Sequence, residues 1–149
     1  MQIAICGGGV IGSALAYELT ARGEQVTLIE RWRIAGAASG KSGGFLARDW
    51  CDGTPLQTLA EVSFGRHQEW ADRLGNPYGY RRVETFSAAM SARRTLPPRG
   101  DRGVAGWLAE GAVNRQRLGN GATTAQLDPA QFTTCLLYTS DAADDTSEV

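Results

Sequence analysis

The feature that most constrains this chain is its first stretch, where Gln2-Ile3-Ala4-Ile5-Cys6 runs directly into Gly7-Gly8-Gly9-Val10-Ile11-Gly12. The five leading residues read as a buried strand, and the glycines that follow form a G-x-G-x-x-G turn opening into a helix. Ile11, Ala14, Leu15 and Leu19 fall at i, i+3, i+4 and i+8, one face of a 3.6-residue period. Gly23 stops that helix as a C-terminal cap does. A second apolar run, Val26-Thr27-Leu28-Ile29, then closes on an acid, Glu30. Strand, glycine turn, helix, strand and acid in this order predict a βαβ unit that binds a dinucleotide.

Each part has a physical reason. Gly7 allows a tight strand-to-helix turn, Gly9 lets a pyrophosphate approach the backbone, and Gly12 lets helix pack closely on strand. The first helical N–H groups, at Val10 and Ile11, and the positive end of the helix dipole then face the phosphates. Glu30 stands 18 residues after Gly12 (30 − 12), close to the spacing of a carboxylate that accepts hydrogen bonds from a ribose. A carboxylate there repels a 2′-phosphate, which disfavours NADP.

With 149 residues there is room for one domain and one core. A formal net charge of −1 implies no general affinity for nucleic acid or an anionic membrane. The apolar N-terminus lacks the basic n-region of a signal peptide, and no segment approaches the apolar length of a membrane span. Cys6, Cys51 and Cys135 are an odd number at no metal-ligand spacing. Cys6 is expected to be a buried strand residue, and the expected compartment is reducing, that is, cytoplasmic.

After Glu30 come Arg31-Trp32-Arg33-Ile34 and then Ala35-Gly36-Ala37-Ala38-Ser39-Gly40-Lys41-Ser42-Gly43-Gly44-Phe45-Leu46-Ala47. Such small residues can make a flexible linker. Here they follow a nucleotide-binding strand and include Lys41, the only lysine, so they read instead as a ligand loop with Lys41 placed to face phosphate. Glu30, the basic Arg31 and the run A-S-G-K-S-G-G-F-L-A resemble the D-amino-acid-oxidase family of FAD-dependent oxidoreductases. Arg48 to Leu56 is similar to one branch of that family. The resemblance implies that Gly7, Gly9 and Gly12 hold the FAD pyrophosphate and Glu30 the adenosine ribose. It implies that Ser39, Ser42, Gly43 and Gly44 pass the diphosphate and the flavin edge.

Further along, Thr54-Pro55-Leu56-Gln57 reads as a helix start with Thr54 as N-cap and Gln57 closing a capping box. Leu56, Ala60, Ser63, His67, Trp70, Ala71 and Leu74 share a face, and Gly75 ends the helix. His67, the only histidine, reads as a hydrogen-bonded, semi-buried residue, with a catalytic or flavin-anchoring role as the alternative. Trp70 reads as core. Asn76-Pro77-Tyr78-Gly79 is a turn, and Tyr80 to Ser87 alternates as a strand. Arg81 and Arg82 read as a solvated strand face, with binding of a substrate carboxylate as the alternative. Arg93 to Gly103 reads as a loop and Trp107 to Val113 as a short amphipathic piece. Asp128-Pro129-Ala130-Gln131-Phe132 starts another helix.

From Cys135 the likeness stops. Cys135-Leu136-Leu137-Tyr138-Thr139-Ser140-Asp141-Ala142-Ala143-Asp144 can be back-translated as TGT CTC TTA TAC ACA TCT GAC GCT GCC GAC, which looks like a transposase sequencing adapter. Residues 135–149 are therefore expected to be a non-native tail on a truncated product. Without its four acids the remainder carries +3 (15 − 12).

The fold expected is α/β: an incomplete Rossmann-like FAD-binding βαβ segment over 1–75, then the start of an antiparallel α+β substrate domain over 76–134. The activity implied by the resemblance is oxidation of an amine or amino acid by hydride transfer to flavin N5, with no catalytic residue or metal site identifiable here. An NAD-dependent dehydrogenase, a nucleotide-binding module without turnover and an unstable, inactive fragment remain the alternatives.

Overall fold

The computed structural model describes residues 1–90 and 112–139. The expected loop at 93–103, most of the piece at 107–113 and residues 140–149 of the expected tail lie outside the described residues. The chain forms two compact units whose segments interleave: 1–45, 67–80 and 127–149 in one, 46–66 and 81–126 in the other. Position 75, the sequence-based boundary, falls within the 67–80 segment of the first.

The first unit opens as the motif predicts. Strand β1 (Gln2–Cys6), helix α1 (Val10–Thr20) and strand β2 (Gln25–Ile29) follow in order, and β1 pairs parallel with β2, Gln2 opposite Gln25 through Cys6 opposite Ile29. Gly23, three residues past α1, takes φ +80° and turns the chain toward β2, its N–H donating to the Thr20 carbonyl at 2.8 Å. The short helix α2 (Ala38–Lys41) follows in the small-residue loop.

Helix α1 does not bury the face that its apolar spacing suggests. Ile11 is 76% exposed and Leu15 49%, while Gly12, Ser13, Ala16 and Tyr17 are buried. The small residues decide this, because Gly12 and Ala16 let the helix axis approach the sheet more closely than a side of Ile and Leu can. Ile5, Ala16 and Leu137 form the centre of this core, with Ile3, Leu19, Val26, Leu28 and Ile34 packed around it.

Among the described residues the sheet is covered on one face only. Ile3, Ile5, Val26 and Leu28 point inward, and the alternate residues Ala4, Cys6, Thr27 and Ile29 are exposed. Cys6 is thus exposed, not buried as expected. The period-2 pleat places it on the bare face of a two-stranded parallel sheet, a kind of sheet that elsewhere is covered on both sides.

The last helix, α4 (Pro129–Tyr138), begins as read from the sequence: Asp128 is the N-cap, its carboxylate accepting from the Gln131 N–H at 2.9 Å, and proline follows at the first turn. It packs against α1 and α2, and it runs without interruption across Thr134 and Cys135. Leu136, fully buried, and Leu137 sit in the core. Around α4 the C-terminal half of helix α3 (Gln57–Leu74) contributes Trp70 and His67, which stack with Phe132 at centroid distances of 5.7 and 4.9 Å. Trp70 is core, as expected, and its indole N–H donates to Glu18 at 3.0 Å. His67 is semi-buried, but its Nδ1 has no hydrogen-bond partner among the described residues, because its neighbours are aromatic rings. Asn76 closes the turn after α3 by bonding both the N–H and the carbonyl of Tyr80.

The second unit is antiparallel. Strands β3 (Phe45–Ala47), β7 (Thr124–Gln126) and β4 (Arg81–Arg82) form one sheet in that order; β5 (Thr85–Met90) and β6 (Ala112–Gly119) form another. The single strand expected from Tyr80 to Ser87 is therefore two strands in different sheets. The break lies at Val83, whose N–H donates to the Thr124 carbonyl while its own carbonyl accepts from the Thr124 hydroxyl at 2.7 Å. Arg81 donates to Gln126 at 2.6 Å and the Arg82 guanidinium lies 4.4 Å from the Phe64 ring centroid, and both arginines are exposed. In the N-terminal half of α3 Phe64 is buried, whereas Leu56 and Ser63 of the expected face are exposed. Helix α3 starts at Gln57, two residues past the expected first residue Pro55, and Gln57 accepts from the Gly53 N–H at 2.9 Å.

Candidate functional site

The site is the turn between β1 and α1 together with the chain that folds over it after β2. Gly7 leaves β1 at φ +107°, a conformation that favours glycine, and its N–H donates to the Ile29 carbonyl at 2.7 Å. Gly9 is the extended N-cap of α1 and has no side chain to cap the helix itself. The helix thus begins with N–H groups directed into the turn and no acid in its first turn to compete for them.

Crowding explains the glycines. A Cβ on Gly12 would overlap the Gly7 carbonyl oxygen and stand 3.3 Å from Ile5 Cγ2. One on Gly9 would lie 2.9 Å from Ser39 Oγ, and one on Gly8 would run into Ile34 Cδ1. The turn is therefore a smooth backbone surface held from below by β1 and from the side by the loop after β2.

Glu30 anchors that loop. Its carboxylate accepts from the Gly8 N–H at 2.7 Å and from the Trp32 N–H at 3.0 Å. These bonds, the Gly8 amide foremost, hold its pKa below the ordinary carboxylate value, so it is ionised at neutral pH. Ala35 donates to the Gly8 carbonyl at 2.9 Å from a left-handed conformation, φ +56°. Ser39 reaches back across the turn, and its Oγ accepts from the Val10 N–H at 2.9 Å. The hydroxyl keeps its own proton to donate, which an incoming phosphate oxygen can accept.

The structure thus brings Gly7, Gly9, Val10, Gly12, Glu30 and Ser39 together. Ile11 belongs to the same helical turn, but its side chain points to solvent. Arg31, Lys41 and Ser42 are exposed, Lys41 at the end of α2 and Ser42 donating to the Ser39 carbonyl at 3.3 Å. Gly43 is exposed at the start of the segment leading to β3. Gly44 is buried at φ +63°, where its carbonyl accepts from the Leu127 N–H at 3.0 Å, so it is a joint between segments of the unit. Sequence reasoning passed over Gly8, Ile34 and Ala35, which lock the loop to the turn. Only the triple glycine hinted at Gly8, and nothing in Ile34-Ala35 signals a left-handed alanine.

A backbone cradle free of Cβ atoms, N–H donors at a helix N-terminus, a hydroxyl donor and an ionised ribose acceptor fit the adenosine diphosphate part of a dinucleotide. In such a complex Gly9, Val10 and Ser39 would hold the diphosphate and Glu30 the ribose hydroxyls. Among the described residues no cluster of His, Cys, Asp or Glu could hold a metal ion, and no helix is long and apolar enough to cross a membrane.

Comparison with known proteins gives the same picture. The chain is 34% identical over 140 residues to an oxidoreductase of Schizosaccharomyces pombe, a match covering 88% of this chain and 36% of that protein. It is 42% identical over 103 residues to a Saccharomyces cerevisiae oxidoreductase, covering 64% of this chain and 19% of that one. The chain therefore spans 36% and 19% of the length of these two curated relatives. Among solved structures, glycine oxidase from Bacillus cereus superimposes with a TM-score of 0.74 at 23% identity, over 95% of this chain and 44% of that one. L-proline dehydrogenase from P. horikoshii gives 0.72 at 18% identity, over 93% and 41%. These two establish the fold. The model of the DAO family, described as FAD dependent oxidoreductase, matches residues 2–147, past Thr134 where the likeness read from sequence stops. FAD, not NAD, is accordingly the cofactor, and the chain belongs to the DAO family of FAD-dependent oxidoreductases.

Proposed function

We propose that the whole protein oxidises a small amine or amino acid and that this chain supplies the grip on the adenosine diphosphate half of FAD. The observation that carries the proposal is the closed cradle of Gly7 to Val10, a turn free of Cβ atoms that Glu30 braces at the Gly8 N–H and Ser39 at the Val10 N–H. When bound, the flavin would supply the redox chemistry, taking up hydride at N5 from a substrate C–H. This chain's residues would bind and orient: the glycine turn and the Ser39 hydroxyl would donate hydrogen bonds to the diphosphate, and ionised Glu30 would accept the ribose hydroxyls and repel a 2′-phosphate. The substrate class is supported by the names of similarly folded proteins, which include a glycine oxidase and an iminodiacetate oxidase. Free Cys6 and Cys51 support a cytoplasmic site of action, and the near-neutral charge supports a small-molecule partner over nucleic acid.

The test is anaerobic mixing of the flavin-loaded whole protein with a panel of amines and amino acids. Bleaching of the flavin by one of them is expected. No reduction by any amine, with reduction by an unrelated donor, would refute the substrate class.

A second reading applies to the 149 residues alone, and the bare β1–β2 face favours it. We infer that these residues bind the nucleotide half without turnover, and that residues 135–149 are a translated adapter. Genomic reads spelling the tail would overturn the adapter reading, and amine-dependent flavin reduction by the 149-residue chain would overturn the first part.

A further inference from the structure

Trp32 is 68% exposed, two residues beyond the ribose acid. A single exposed aromatic is ordinary on a protein surface. Three features set Trp32 apart. Its own N–H is held by the Glu30 carboxylate at 3.0 Å, so its backbone is fixed to the group that takes the ribose. The Arg33 guanidinium lies 4.2 Å from its ring centroid, giving a stacked cation and indole. The turn behind it is shaped around both side chains. Gly36 is buried and donates to the Arg33 carbonyl at 3.1 Å, and a Cβ there would come within 2.6 Å of Arg33 Cγ and 2.9 Å of Trp32 Cε3.

We infer that Trp32 and Arg33 form a stacking platform for the adenine of the dinucleotide, which makes them specificity-determining residues that no glycine or acid motif names. This rests on the reading of the turn as an FAD cradle. The chemistry follows from covalent connectivity: adenine is attached to the ribose carbon next to the one whose hydroxyl a carboxylate such as Glu30 accepts. A base so tethered lies beside the residues that bracket Glu30. There an electron-rich indole and a planar guanidinium offer the π-face and the cation on which a purine stacks. The pair also gives selectivity for an adenine dinucleotide over a flavin mononucleotide, which has no base to place there.

The test measures binding of ADP and of inorganic pyrophosphate to the full chain by calorimetry, with indole fluorescence followed in parallel. Because Trp32 is largely exposed, its replacement removes no core packing, and circular dichroism checks that the fold is kept. Trp32→Ala is expected to weaken ADP by roughly 5- to 150-fold, the range of one stacked base, and to leave pyrophosphate unchanged. Trp32→Phe is expected to keep most of the affinity while losing the quenching that ADP causes in the native chain. Unchanged ADP affinity in Trp32→Ala, with loss of ADP binding in Glu30→Ala, would overturn the platform and leave the cradle standing. Failure of the native chain to bind ADP or FAD at all would overturn the cradle and the platform with it.

Discussion

Two glycines in two helices make opposite predictions, and the difference tests how α1 sits on the turn. Gly12, in the first turn of α1, is surrounded: an added Cβ would overlap the Gly7 carbonyl oxygen and stand 3.2 Å from the Gly7 carbonyl carbon and 3.3 Å from Ile5 Cγ2. The nearest atoms are backbone, so relief requires lifting α1 off the turn. Gly65, inside α3, has nothing within 4 Å of the same position. Intrinsic helix propensity favours alanine at both sites by about 1 kcal/mol. At Gly65 that gain stands alone, so Gly65→Ala is expected to stabilise by about 0.5–1 kcal/mol and raise Tm by about 1–4 °C. At Gly12 overpacking costs about 1–3 kcal/mol against it, so Gly12→Ala is expected to destabilise by up to about 2 kcal/mol. It should also lose ADP affinity, because the lifted helix moves the Val10 N–H from the turn. Urea unfolding of the two variants beside the native chain reads both signs. A Gly12→Ala chain as stable as Gly65→Ala, with ADP affinity intact, would refute the close packing of α1 on β1.

His67 predicts a pH dependence. Burial lowers its pKa from 6.5 to about 4, so the unfolded chain binds more protons than the native one between those values and stability falls as pH drops through that window. The loss is on the order of 3 kcal/mol when complete. Unfolding free energies at pH 7.5 and 4.5 should differ by less in His67→Phe than in the native chain, and an unchanged difference would place the titration elsewhere. Ser39→Ala removes the acceptor for the Val10 N–H and is expected to cost about 1 kcal/mol of stability by urea unfolding. Its ADP affinity should fall as well, whereas Ser42→Ala, one turn further along the loop, should bind ADP as the native chain does.

The local order of the nucleotide unit was legible because its signals are backbone signals. Gly7 at φ +107°, Gly23 at φ +80°, the acid ending β2 and the Asp128-Pro129 cap each express a constraint that few residue types satisfy. The orientation of α1 was not legible, for a physical reason that extends to the whole chain. Apolar spacing locates the face with most to gain from burial, and Ile11 and Leu15 have the most to gain. Yet a helix can bury only the face that fits what is present, and here Gly12 and Ala16 fit against Ile5 and Leu137. The stripe of Ile11 and Leu15, the bare side of β1–β2 with Cys6 and Ile29, and exposed Leu56 before α3 with Leu59 and Val62 on it are then apolar surfaces of the kind that additional chain covers. The curated relatives are much longer than 149 residues. The spacing of Ile11 and Leu15 thus does not set the packing of α1 here; the small residues Gly12 and Ala16 do, because only their side lets the helix come close to the sheet.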